Sequence, residues 1–211
     1  MYFRNIFLAA TVFSAAAFAQ VSPTNVTLDT PYQVRYASNL NVGDSVINIT
    51  NSGARGAGIA SGTSASTTGA LCVNVYAFSP DEQMISCCSC PVTPNGLVSL
   101  SARNDLINNT LTAAVPTSIV IKLLASAPVG GSCASSAASP GALASGMVAY
   151  GTTIHAAVAG SEVTETAFTP ASLSAGELFR LTSLCTFINA NGSGYGVCRS
   201  CRLGGLGASK L

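Results

Sequence analysis

Eight cysteines carry most of the chemistry that this sequence can offer: Cys72, Cys87, Cys88, Cys90, Cys133, Cys185, Cys198 and Cys201. Three crowd into 87–90, three into 185–201, and Cys72 and Cys133 stand apart. An even count in a chain that begins like an exported protein makes disulfides the default reading. The grouping predicts that the two triplets are cross-linked, tying a central segment to the C-terminal one, and that Cys133 pins the loop that carries it. Bridges of that reach close loops of nearly a hundred residues. Each is worth about 4–5 kcal/mol when chain entropy alone is considered. The competing chemistry is a tetrathiolate zinc or iron–sulfur site built from Cys88-Ser89-Cys90 and Cys198-Arg199-Ser200-Cys201, since both need four deprotonated sulfurs converging on one point. Paired Cys-x-x-Cys knuckles would suit a metal better, and Cys87 would be left without a role. Arg202 after Cys201 excludes a haem-attachment motif, and the Gly-rich run before Cys198 is no place for a thioredoxin-like helix start. The sequence therefore predicts disulfides, with no metal and no cofactor.

Other reactive groups are sparse. His155 is the only histidine. A serine hydrolase would need an activated serine and an orienting carboxylate beside it, and the chain holds no Gly-x-Ser-x-Gly. Glu162 and Glu165 follow with a spacing that suits a polar loop, and no pair of the eight acids is singled out as a glycosidase would require. Asp29, Asp44, Asp81 and Asp105 are scattered singly, unlike a calcium loop. Gly53-Ala54-Arg55-Gly56-Ala57-Gly58 superficially resembles a phosphate-cradling loop, but it matches neither nucleotide-binding spacing. No catalytic residue is predicted. Tyr195, in the Gly-rich run 192–196, is the candidate exposed aromatic for stacking on a ligand. Lys and Arg number 9 against 8 Asp and Glu, and charged residues make up 8% of the chain. That is far below the usual share of about 25%, so no basic footprint exists for nucleic acid.

These groups must be positioned by strands. From Val26 to Tyr36 the even positions read Val26, Leu28, Thr30, Tyr32, Val34, Tyr36 and the odd ones are polar, a period of two that predicts a half-buried strand broken or edged at Pro31. Further strands are expected at Ser45–Thr50, at Leu71–Phe78 with burial on both faces, and at Gln83–Ser86, Leu97–Ser101, Ser118–Leu124 and Met147–Val158. His155 falls on the solvent side of the last. A short helical turn fits Ala102–Ile107. Two long small-residue loops span 51–69 and 125–144. One helix is expected at about 174–190, because Ser174 precedes Glu177 at capping-box spacing and Leu178, Leu181, Cys185 and Ile188 follow at helical intervals. The fold class is mainly β: a disulfide-cross-linked β-sandwich with long Gly/Ser/Ala loops and one C-terminal helix.

The chain opens with Arg4, an apolar stretch from Ile6 to Phe18 and Ala17-Phe18-Ala19, which together predict a secretory signal peptide over 1–19 and a domain over 20–211. Ser209-Lys210-Leu211 reads as a peroxisomal address, and the export signal overrides it. Sequons begin at Asn25, Asn48, Asn108 and Asn191. Export, low charge, alternation and cross-linking together resemble the composition of pilin-like and other extracellular structural subunits. The resemblance implies a secreted, non-enzymatic structural or assembly protein of the cell surface or extracellular matrix, associating with itself or with another surface protein. Its N-terminal segment 24–37 would then be a candidate for exchange, with Val26, Leu28, Tyr32, Val34 and Tyr36 filling a neighbour's pockets. Own-sheet pairing of the same segment is the favoured alternative. A secreted glycan- or protein-binding module and a small secreted hydrolase are the competing functions. The absence of Trp weakens the glycan reading.

Overall fold

The computed structural model describes residues 30–58, 68–157, 160–198 and 201–203. The signal-peptide reading, Val26 and Leu28, and the middle of the loop 51–69 lie outside these residues. In chain order the strands are β1 (Tyr32–Ala37), β2 (Val46–Asn51), β3 (Leu71–Phe78), β4 (Met84–Val92), β5 (Leu97–Ser101), β6 (Ile119–Ser126), β7 (Met147–Ala157), β8 (Gly160–Ala167), β9 (Thr169–Pro170) and β10 (Arg202–Leu203). A single long helix, α1, spans Ala175–Ala190. The strands form two five-stranded antiparallel sheets, ordered β4-β3-β6-β1-β9 and β10-β5-β2-β7-β8. This is the expected disulfide-cross-linked sandwich.

The centre of the first sheet is buried on both sides, and the sequence of β3 shows why. Leu71, Val73, Val75 and Ala77 join Ile47, Ile49, Val98, Leu100, Ile121 and Leu123 in the core between the sheets. Tyr76 and Phe78, on the other face of the same strand, pack under α1 with Leu124, Leu178, Leu181 and Ile188. All eight residues of β3 are therefore buried. Burying each large apolar side chain contributes about 1.5–3 kcal/mol, so both layers matter. Asn74 has no exposure at all, and its polarity is matched rather than solvated: Nδ2 donates to the Leu124 carbonyl at 3.0 Å and to Ser126 Oγ at 3.1 Å.

The helix begins where the capping spacing places it. Ser174 Oγ accepts from the Glu177 N–H at 3.1 Å. The reciprocal half of a capping box is replaced by an ion pair, in which Glu177 Oε1 takes a hydrogen bond from Lys122 Nζ of β6 at 2.6 Å. The first turn of α1 is thus fixed to the sheet it covers.

Three expectations change. The strand predicted over Gln83–Ser86 continues to Val92 and carries the whole first cysteine triplet. Glu162 and Glu165, read as loop, sit on β8, an exposed edge strand. An edge with water on one side and no apolar stripe leaves no alternation to read. The eleven-residue alternation contains a described strand only from Tyr32, after Pro31, and its two faces serve differently from expectation. Tyr32 and Val34 turn toward the helix layer, whereas the polar set, Gln33 and Arg35, is buried at 1% and 8% exposure. Gln33 Nε2 reaches the Met147 carbonyl of the other sheet at 2.9 Å.

Candidate functional site

The cysteines pair as Cys72–Cys133, Cys87–Cys185, Cys88–Cys198 and Cys90–Cys201. The two triplets are joined three times, over sequence separations of 98, 110 and 111 residues. Strand geometry chooses the partners. Neighbours on a strand face opposite sides, so Cys87 points into the helix layer and meets Cys185 of α1, while Cys88 and Cys90 pack against the inter-sheet core. The chain then leaves α1 by a loop docked on β4, where the Cys87 N–H donates to the Gly196 carbonyl at 2.8 Å. Gly196 sits at φ 77°, and a Cβ there would lie 2.9 Å from the Ile188 side chain, so only glycine fits. Past Cys198 and Cys201 the chain crosses to the other sheet and pairs as β10 with β5. One flank of the sandwich is closed this way. The sulfurs of Cys88, Cys90 and Cys201 lie within 4.8 Å of one another, the convergence a metal would need, but disulfide bonding removes the thiolates that would bind it. Among the described residues no cysteine is free.

The opposite flank is built differently. There β9 covers β1 for two residues only, Gln33 opposite Pro170 and Val34 opposite Thr169. The Ala171 N–H donates to the Tyr32 carbonyl. Antiparallel alternation therefore turns the main-chain groups of Tyr36 to the same, uncovered side. In the second sheet the flank ends in β8, whose residues from Gly160 to Thr166 are all exposed. Between the two edges lies a cleft of about 420 Å³ lined by Val34, Arg35, Tyr36, Thr153, Thr166 and Thr169.

Arg35 crosses this cleft. Its Nη1 donates to the Thr166 carbonyl at 2.9 Å and to Thr166 Oγ1 at 2.7 Å, and Nη2 donates to Thr153 Oγ1 at 2.7 Å. The guanidinium sits 5.8 Å from the centre of the Phe168 ring. It passes directly over Gly151, where a Cβ would stand 2.4 Å from Nε. Nε is buried without a hydrogen-bond partner, and the side chain is in no ion pair among the described residues. Burial lowers its pKa from the ordinary value, and Glu165 partly opposes that. The Glu165 carboxylate accepts from Asn48 Nδ2 at 2.8 Å.

Of the residues predicted for strand exchange, Tyr32–Ala37 pairs along its whole length with β6 of its own chain. Tyr32 is buried, Val34 half-buried and Tyr36 58% exposed. In this structure the strand pairs within its own sheet, and the buried Gln33 and Arg35 bind it to β7 and β8. Tyr195 is 58% exposed. His155 is exposed and lies 2.9 Å from Thr164 Oγ1 across the β7–β8 hairpin. Both residues are open to bulk water, unlike the enclosed setting in which imidazole activates a hydroxyl. Sequence reasoning missed Arg35 with Thr153, Thr166 and Thr169. Gly151, followed on β7 by the β-branched run Thr152-Thr153-Ile154, was the available signal, since a strand glycine marks a close approach.

No protein-family model matches the chain, and no match to it was found among curated proteins or solved structures.

Proposed function

We propose that the protein is a secreted, non-enzymatic structural subunit of the cell surface or extracellular matrix, which assembles by strand addition at its open flank. The observation that carries this reading is the main chain of β1 beyond Val34, which no described residue pairs with on its outer side, beside the exposed edge strand β8. Unpaired strand edges are templates for another chain, and added strands bind through main-chain hydrogen bonds with alternate side chains in pockets. Four disulfides fit an oxidising compartment. Among the described residues no helix is long and apolar enough to cross a membrane. Because Tyr32–Ala37 is held in its own sheet, the segment to be lent is the one before it, with Val26 and Leu28 as the apolar side chains. The same edge would serve if the incoming strand came from another surface protein.

Electron microscopy of the purified protein tests the reading: regular filaments or sheets are expected, and dispersed monomers at high concentration would overturn it. Deleting residues 20–29 should leave a folded monomer that no longer assembles. Deletion through Ala37 should instead unfold the protein, because it removes β1.

A further inference from the structure

The open flank contains a buried cation that is in no ion pair among the described residues, with Glu165 of β8 acting on it only from a distance. Arg35 is 8% exposed, its hydrogen bonds go to one carbonyl and two threonine hydroxyls, and they use only part of the donor capacity of a guanidinium. A buried cation is costly when its partners are neutral dipoles. The cost falls when an anion enters the same cleft, and carboxylates match the planar fork of arginine. The cleft also adjoins the main chain of Tyr36 on the uncovered edge of β1.

We propose that this cleft is a carboxylate-binding subsite whose occupant is an aspartate or glutamate side chain on an extended peptide segment laid along the open edge of β1. The inference rests on the strand-addition reading and adds chemical selectivity to it: main-chain pairing supplies the docking, and Arg35, framed by Thr153, Thr166 and Thr169, selects an acidic strand. An ion pair with Arg35 favours such an occupant over an apolar one, and it has to outweigh the exposed Glu162 and Glu165 of the neighbouring β8.

The test uses the full-length oxidised protein and two blocked pentapeptides of valine and threonine, one with a central glutamate and the other with a central glutamine. Binding is followed by calorimetry and by the NMR signal of the Arg35 Nε–H. The glutamate peptide should bind about tenfold tighter or more and shift that signal, and excess acetate should compete with it. Equal affinity of the two peptides would overturn the carboxylate inference while leaving strand addition standing. An acetate response without binding of either peptide would overturn the extended occupant, and no response to any probe would overturn the subsite. Arg35→Gln, checked for an unchanged circular dichroism spectrum, should bind both peptides alike. If that variant does not fold, the peptide pair on the unmodified protein still decides. Filaments whose assembly is indifferent to acidic peptide would sink this proposal alone, and acid-selective binding by a protein that never assembles would sink the assembly reading alone.

Discussion

The two flanks of the sandwich solve the same physical problem in opposite ways. On the β4/β10 side, Cys88–Cys198, Cys90–Cys201 and the segment that follows α1 cover the gap between the sheets, Cys87–Cys185 ties the same strand to the helix, and Cys90 is fully buried there. On the β9/β8 side, the chain crosses between sheets at Phe168, and among the described residues nothing pairs with β1 beyond Val34 or with the outer edge of β8. An exposed edge of eight residues is an aggregation hazard unless it is managed, and here the management is limited to Glu162 and Glu165. The contrast teaches that exposure at the open flank does not follow from a shortage of covering material. The C-terminal segment covers one flank in detail, and the flank that the described residues leave open is where the proposed strand addition would take place.

The comparison can be broken most forcefully on the closed side. Replacing Cys87, Cys88 and Cys90 together by Ser should cost well over about 5 kcal/mol, because it releases loops of 98 to 111 residues and opens the core beneath them. Denaturant unfolding or calorimetry would measure it, and an unchanged melting temperature after full reduction would contradict the assignment of the closed flank. The single bridges should not contribute equally. Removing Cys72–Cys133, which closes its 61-residue loop independently, should cost about 4 kcal/mol. Removing Cys90–Cys201 should cost only about 2 kcal/mol, because with Cys88–Cys198 intact the extra ring contains only the few residues between the two bridges. A larger loss for Cys90–Cys201 would mean that it holds β10 on β5 rather than merely repeating a closure.

On the open side the corresponding perturbation is Gly151→Ala. The new methyl group would displace Arg35 from its place between the sheets, a local overpacking worth about 1–3 kcal/mol. It should also abolish the response of the Arg35 signal to acidic peptide. Stability lost without any change at Arg35 would show that the glycine serves the strand alone.

How much of this was legible in the sequence follows from where each element sits. Leu97–Ser101 and Leu71–Phe78 appear at their predicted limits because each is enclosed by turns and presents apolar residues to a defined layer. The helix was legible because Ser174, Glu177 and the stripe Leu178, Leu181, Cys185, Ile188 all specify one start and one face. The triplet cross-link was legible from crowding, but the pairing within it was not, since it depends on Cys87 and Cys88 facing opposite sides of β4. The open flank was the least legible part. The exposed residues of β8 carry no hydrophobic period, and on β1 the polar half of the alternation, Gln33 and Arg35, is the buried half. Alternation fixes the period of a strand and leaves open which side is covered when both sides are. In this structure Tyr32–Ala37 pairs with β6 of its own chain, and the polar residues Gln33 and Arg35 are the ones that fasten it to β7 and β8.

The smallest expected effect separates the two flanks by pH. Tyr32 on β1 and Tyr76 on β3 both have hydroxyls whose pKa is raised by burial, and Glu177 adds to the shift at Tyr32, which reaches about 12 against an ordinary 10.0. A tyrosine with a raised folded pKa contributes no pH dependence below pH 10, where both states are protonated. Above pH 10 the unfolded chain ionises first, so stability falls with rising pH until the folded-state pKa of about 12 is passed. Tyr32→Phe should therefore flatten part of the decline between pH 10 and 12 in rapid pH-jump unfolding. Tyr76→Phe should flatten more of it at the alkaline end, at the added cost of leaving the Ser135 carbonyl without the hydrogen bond it accepts at 2.7 Å. If the helix layer is equally tight over both strands, the two variants should keep their melting temperatures near neutral pH in an order set by that hydrogen bond alone. A Tyr32 variant with no effect on the alkaline limb would mean that water already reaches β1 from the open flank, and the boundary between the closed and open sides would then have to be drawn one strand further in, at β6.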